Sequence, residues 1–164
     1  MAYNSRNYDQ RTIEESTLKK LISSFRYLRA LDLHGLNIKM LPNTKGTLMH
    51  LKYLDISIND IEVLPSCITK LVNLQTLKLF QCEKLRELLV DIQKLVSLNH
   101  LDIDGCENLT RMPSGLGQLT SLQTLTLFVV SKGPASSSKH CGGLAELNKL
   151  NDLRGKLEIK IWHS

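Results

Sequence analysis

The chain has 164 residues and a formal net charge of +5, a length that suits one domain. Six Lys/Arg against three Asp/Glu put +3 of that charge in the first 30 residues, and the rest is nearly neutral; a nucleic-acid reader would more often carry a basic stripe interleaved with aromatics. No run approaches the ~18 apolar residues that cross a membrane, and the polar stretch from Met1 to Ser16 has no apolar core of a signal peptide, which favours a reducing, cytoplasmic setting.

Residues 1–15 are polar and are expected to be disordered. The ordered domain is expected over 16–162. Ser16 and Thr17 are placed to cap a short helix that carries Leu18, Leu21, Ile22 and Phe25 on one face, a shield for the open N-terminal edge of the domain. One phrase then recurs, Leu-x-x-Leu-x-Leu: Leu28-Leu31-Leu33, Leu51-Leu54-Ile56, Leu74-Leu77-Leu79, Leu98-Leu101-Ile103 and Leu122-Leu125-Leu127. The first leucines are 23, 23, 24 and 24 residues apart, and leucine fills 32 of the 164 positions. Five copies at this period mark a leucine-rich repeat. The expected fold is an α/β solenoid with a curved parallel sheet on its concave side and an irregular, short-helical convex side.

With the first leucine of each coil as position 1, positions 4 and 6 alternate with 3, 5 and 7 in the period of a strand. Leucine or isoleucine at 4 and 6 points into the coil. The chain then turns, and buried backbone groups there need partners. Position 9 holds Asn59, Cys82 and Cys106, an amide and two thiols able to bond them; Leu36 and Val130 depart from this in the end coils. Leu41-Pro42, Leu64-Pro65 and Met112-Pro113 recur in phase, with Leu88-Leu89 breaking the beat, and proline suits an irregular return path. After Phe128 the rhythm stops. Residues 131–143 are rich in Gly, Ser and Pro and read as an insertion loop. Leu144, Leu147, Leu150 and Leu153 then lead to a sixth strand at Leu157–Ile161, closed by Trp162.

Three columns face outward. Position 3 holds Ala30, Tyr53, Thr76, His100 and Thr124; position 5 holds Asp32, Asp55, Lys78, Asp102 and Thr126; position 7 holds His34, Ser57, Phe80, Asp104 and Phe128. The candidate partner-binding residues are Tyr53, Asp55, Lys78, Phe80, His100, Asp102, Asp104, Thr126 and Phe128, with the two phenylalanines as apolar anchors among polar neighbours. Lys78 lies between Asp55 and Asp102 on adjacent strands and should be favourable to both. His100, Asp102 and Asp104 share one strand face, but residues i and i+4 of a strand are ~13 Å apart and metal bonds are only ~2–2.5 Å long, so no metal site is expected. Cys82 and Cys106 point inward as a reduced structural pair. Asn108-Leu109-Thr110 matches a glycosylation sequon by chance. No phosphate-binding loop and no nucleophile elbow occurs, so neither an enzyme nor a cofactor is expected, and no small-molecule substrate.

The stretches LRALDLHGLNIKMLP, LKYLDISINDIEVLP, LVNLQTLKLFQC, LDIDGCENLTRMPSGLGQLTSLQTLTLFVV and LNDLRGKLEI resemble the repeat region of plant intracellular nucleotide-binding leucine-rich-repeat disease-resistance proteins of the coiled-coil type. The Leu-Pro beat, the turns Cys82–Leu85 and Cys106–Leu109, and the Leu-Arg-Gly-Lys-Leu segment carry the likeness. It implies a protein-recognition module that senses a pathogen effector or a guarded host protein and restrains a nucleotide-binding switch domain, a module this chain lacks. The alternative is a generic intracellular repeat scaffold or regulatory subunit in signalling.

Overall fold

The computed structural model describes residues 12–43, 47–132 and 141–163. Five short strands stack side by side in parallel: β1 (Ala30–Asp32), β2 (Tyr53–Asp55), β3 (Thr76–Lys78), β4 (His100–Asp102) and β6 (Thr124–Leu125). Their register keeps the repeat in phase, with Ala30 beside Tyr53, Tyr53 beside Thr76, Thr76 beside His100 and His100 beside Thr124. Leu54, Leu77, Leu101 and Leu125 are buried beneath them, as are Ile56, Leu79, Ile103 and Leu127. The return path carries short 3-10 turns at Ser66–Lys70, Ile92–Lys94, Leu116–Gln118 and Leu144–Lys149. It also carries a small second ladder in which Val63, Glu87 and Arg111 bridge in parallel.

The first coil is covered by α1 (Glu15–Ser24). Leu18 and Ile22 enter the core, but Leu21 and Phe25 stay 43% and 49% exposed. The apolar face expected of this helix is thus narrower: only the i, i+4 pair meets the first coil. The helix also begins at Glu15, with Glu14 at its cap making no side-chain bond, so Ser16 and Thr17 lie inside its first turn and do not cap it.

The first four coils leave their strands by a tight turn at position 8. Gly35, Ile58, Gln81 and Gly105 all have positive φ there, between 53° and 73°. Their carbonyl environment is completed from the next coil. The Asn59 amide nitrogen donates to Leu33 O, Ile56 O and Ser57 O at 2.9–3.1 Å, while its oxygen accepts the Ile38 N–H at 2.8 Å. Cys82 Sγ donates to Ile56 O at 3.3 Å and Cys106 Sγ to Leu79 O at 3.2 Å. The position-9 side chain of one coil thereby closes the position-6 carbonyl of the coil before it. Burial pushes both thiols up, Cys106 to about 12, which keeps them protonated and able to donate.

The fifth coil does not turn. Val129 occupies position 8, and the chain runs on as β7 (Leu127–Lys132). Thr126 marks the change. Its hydroxyl accepts the Ile103 N–H at 2.8 Å, whereas the matching amides of earlier coils, Leu33, Ile56 and Leu79, bond to the carbonyls of Asp55, Lys78 and Asp102. The freed Thr126 carbonyl instead accepts the Glu158 N–H at 3.0 Å. Glu158 opens β9 (Glu158–His163), which pairs with β7 in parallel, Leu127 beside Glu158 through Lys132 beside His163. The expected sixth strand therefore exists but does not extend the five-stranded sheet; β7 and β9 make a sheet of their own. Residues 133–140 of the expected insertion lie outside the described residues, as do 1–11 of the N-terminal stretch. At the ends of that insertion, Ser131 and Lys132 belong to β7, and β8 (Cys141–Gly142) pairs antiparallel with β5 (Met112–Pro113).

The last coil is pinned by close backbone contact. The Glu146 carboxylate accepts the N–H groups of Gly115 and Gly117 at 3.1 and 2.7 Å. A Cβ on Gly117 would lie 2.6 Å from Glu146 O, and one on Gly142 would lie 2.4 Å from Pro113 O, so only glycine permits either approach.

Two stability changes are expected from the turns. Asn59→Ala takes the Asn59 partner from the buried Leu33 carbonyl and the Ile38 N–H and should lower stability by about 3 kcal/mol, read from urea denaturation; an unchanged midpoint would refute the role given to this amide. Ile58 is a β-branched residue in the left-handed region and is 46% exposed. Ile58→Gly should raise stability by about 1 kcal/mol through relief of that strain, visible as an increase in Tm.

Candidate concave-face site

The nine candidate residues sit on the strands or at their exits, and the sheet brings six of them into two groups. In the first, the Tyr53 hydroxyl donates to Asp55 Oδ2 at 3.0 Å, the Ser57 N–H donates to Asp55 Oδ1 at 3.0 Å, and Lys78 Nζ lies 3.6 Å from Asp55 Oδ2. In the second, the Thr126 hydroxyl donates to Asp102 Oδ1 at 3.1 Å, and His100 Nδ1 lies 3.0 Å from Thr124 Oγ1. Every cross-strand link in both groups joins residues 23 or 24 apart, one repeat period.

Asp55 is 7% exposed. Burial alone would raise its carboxyl, but hydrogen bonding from Ser57 and Tyr53 and the Lys78 charge outweigh this and hold it below its usual value. Partial burial likewise opposes the charge on Lys78, and Tyr53, Asp55 and Asp102 overcome it, so its ammonium is held up. The expectation that Lys78 serves both aspartates is met in part; its close ion pair is with Asp55, because Asp102 is turned to the Thr126 hydroxyl.

Asp32, Asp55 and Asp102 share a second task. Each accepts the backbone N–H two residues on, that of His34, Ser57 and Asp104, at 3.1, 3.0 and 3.3 Å. Such a local turn is a known habit of aspartate. The three aspartates of the position-5 column thus hold their strand exits. Asp55, Asp102 and Thr126, expected as contact residues, are also bonded within the face.

Phe128 needs a firmer correction. The repeat phase predicts that it projects from the concave face as an apolar anchor, but it is fully buried. The cause is the loss of the turn at Val129: β7 continues past it and β9 packs alongside, with Ile159 registered beside Phe128. Phe80 is half-buried, and its carbonyl accepts the Ile58 N–H at 2.8 Å. Tyr53 is also half-buried, and His100 and Asp104 are exposed. Outward-facing residues come from all three columns, for Asp32 at position 5 is exposed and Lys78 partly so. One pair escaped the sequence reading. His34 Nδ1 lies 2.7 Å from Asp32 Oδ1, and this bond, with the Asp32 charge, raises the imidazole above its usual value. The spacing Asp-x-His at positions 5 and 7 was the available signal.

Other charges line the flank at the same one-repeat offset. Lys84 bonds Asp60 at 2.7 Å, Arg86 lies 3.8 Å from Glu62, and Arg111 pairs with Glu87. Beside them run two shallow grooves of about 390 and 590 Å³ that share Val63. Among the described residues no three His, Cys, Asp or Glu side chains gather as a metal site.

Comparison with known proteins agrees with this architecture. The family described as leucine-rich repeat region matches residues 11–164. A protein of Arabidopsis thaliana described as a disease resistance protein is 47% identical over 147 residues, 90% of this chain and 10% of that protein. The chain thus spans a tenth of that relative's length. A solved leucine-rich-repeat protein of Leptospira interrogans superposes with a TM-score of 0.56 at 22% identity, over 92% of this chain and 40% of its own. At that identity the likeness concerns the fold.

The site yields three expectations. Lys78→Asp places three carboxylates on adjacent strands and should destabilise the domain by about 1–2 kcal/mol; an unaltered melting temperature would disprove the pairing. The Asp55 carboxyl is depressed in the folded state, so its contribution is present above the unfolded carboxylate value and is lost as pH falls through the lower folded value. Acid titration of stability should show that loss, and Asp55→Asn should flatten it. Thr126→Val keeps the shape but strips a donor from Asp102 and an acceptor from Ile103 N–H, at a cost of about 1–3 kcal/mol, measured by denaturation; no loss would mean the hydroxyl is incidental.

Proposed function

This chain belongs to the leucine-rich repeat region family, and from that premise we propose that it is a non-catalytic recognition module for a protein partner in plant defence. The observation that carries this reading is the 47% identity to a disease resistance protein across 90% of the chain. In the proposed role the concave face senses a pathogen effector or a guarded host protein. It also restrains a nucleotide-binding switch domain, for which these 164 residues hold no phosphate-loop motif. The setting is cytoplasmic. No helix among the described residues is long and apolar enough to cross a membrane.

The contact surface rests on the geometry. A partner reads the outward residues at positions 3 and 7, Tyr53, Phe80, His100 and Asp104, while Asp55, Lys78, Asp102 and Thr126 keep them in place. Phe80 supplies the apolar centre and Asp104 and His100 the polar surround, the arrangement usual at protein interfaces. Neither cofactor nor nucleic acid has a part in it.

Co-precipitation of the chain with a separately expressed nucleotide-binding domain of a plant resistance protein tests the restraint role. Phe80→Ala combined with Asp104→Lys should cut capture at least tenfold while leaving the melting curve within a few degrees of the parent. Undiminished capture by this variant would remove the concave face from the interface. Phe128→Ala is not a fair probe, since emptying a buried aromatic site costs about 3–5 kcal/mol of stability.

A further inference from the structure

The segments that lead into the strands line one side of the stack. The N–H groups of Lys52, Gln75, Asn99 and Gln123 donate to the carbonyls of Arg29, Lys52, Gln75 and Asn99 at 2.7–2.8 Å. The Asn73 amide nitrogen reaches Met49 O at 2.8 Å, and the Tyr27 ring stacks on that of His50 with centroids 5.6 Å apart. Residues one repeat apart therefore stand in columns along this side. Arg29 and Lys52 begin one column, Met49, Val72 and Val96 form a second, and Lys70 and Lys94 belong to a third.

Charge is sorted along these columns. Residues 26–29, 49–52, 70–75, 94–99 and 118–123 hold five Lys or Arg and none of the chain's 16 Asp or Glu; only the sixth such segment, 149–154, brings an acid, Asp152. Arg26, Arg29, Lys52 and Lys70 are exposed and have no ion pair among the described residues, whereas Lys94 is neutralised by Asp91 at 2.5 Å. On the other flank Asp60, Glu62 and Glu87 each stand with a base of their own. Apolar side chains rise between the unpaired bases. Met49, Val72 and Val96 are 56%, 46% and 65% exposed, and Tyr27 is more open still. This apolar column runs along the side of the coils and not across an end of the stack, so its exposure is set by the coils themselves.

We propose that this side of the solenoid docks on an anionic lipid surface. Bases with no acid among them are drawn to negative headgroups. Their long stems carry the charge to the phosphates while the apolar column settles at the headgroup boundary, a depth that also suits tyrosine. Nucleic acid offers the same phosphates, but its bases call for aromatic platforms. Tyr27 is the one aromatic in these segments, and it is already stacked on His50. Exposed Met and Val in a straight column gain from lipid and have no task against a sugar-phosphate chain. The docking is independent of the concave-face role, since none of these residues belongs to that site.

Flotation of the 164-residue chain with phosphatidylcholine vesicles, with and without phosphatidylserine, tests the proposal. The parent chain should bind the anionic vesicles at least tenfold more tightly than the neutral ones. Lys52→Glu with Lys70→Glu should cut that binding at least tenfold. Lys39→Glu with Lys132→Glu makes the same change of charge away from these columns and should leave binding within twofold of the parent. Val72→Ser with Val96→Ser keeps every charge and should still weaken binding at least threefold. A parent chain that ignores anionic vesicles, a column variant that binds like the parent, or an off-column variant that loses binding as fully would each overturn the proposal. A serine variant that binds vesicles like the parent, with a single-stranded oligonucleotide as the tighter ligand of both, would assign the surface to nucleic acid instead. Should circular dichroism show that the double reversal is unfolded, Lys52→Gln with Lys70→Gln takes its place, with an expected loss of at least threefold.

Discussion

A carbonyl at the end of each of the first three strands is buried by the turn after it, and the next coil sends it a side-chain donor. Asn59 answers Leu33, Cys82 answers Ile56 and Cys106 answers Leu79. Leaving such a group bare costs more than a single contact gains; Leu33 O relies on Asn59 of the second coil, while Ile56 O and Leu79 O draw donors from their own coil as well as the next. That dependence ties the stack into a chain of nearest-neighbour contacts. It also makes the weak thiol donors serviceable, since depth keeps them protonated.

The same one-repeat offset organises the surface. Ion pairs on the flank and hydrogen bonds on the concave face join residues 23 or 24 apart, so the face is knitted across strands. The aspartates at position 5 illustrate the result. In the sequence they form a row of acidic contacts, yet each is bent onto the amide two residues ahead. Part of the charge in that row goes into shaping the strand exits. Residues that remain outward, such as His100 and Asp104, hold their positions because this layer beneath them is fixed.

Much of this was legible in the chain itself. The leucine period gave the parallel sheet and its register, and the residue types at position 9 gave their bonding role, because both rest on strict local spacing. The burial of Phe128 was not legible. Its phase matches Phe80, and the difference lies in position 8: Gln81 accepts a positive φ, whereas Val129 stays extended. One torsion thus decides whether the phenylalanine at position 7 is outside or inside. The double task of Thr126 was hidden for a similar reason, since its side chain and its carbonyl part company only when the backbone redirects. The narrowness of the α1 contact depended on how much of the first coil is open, which no helix pattern reports.

Thr126 also divides the molecule's cooperativity. Its hydroxyl bonds to the first sheet while its carbonyl serves the second, so the backbone passes from one sheet to the other at this residue. Separate sheets of one domain can open separately, with free energies below that of global unfolding. The backbone amides of β9 would then exchange with solvent through a local opening that leaves β1 to β4 protected. The glycines pressed against Glu146 and Pro113 set how much that opening costs. A repeat protein is usually pictured as fraying gradually from its ends; here the fraying has a defined seam.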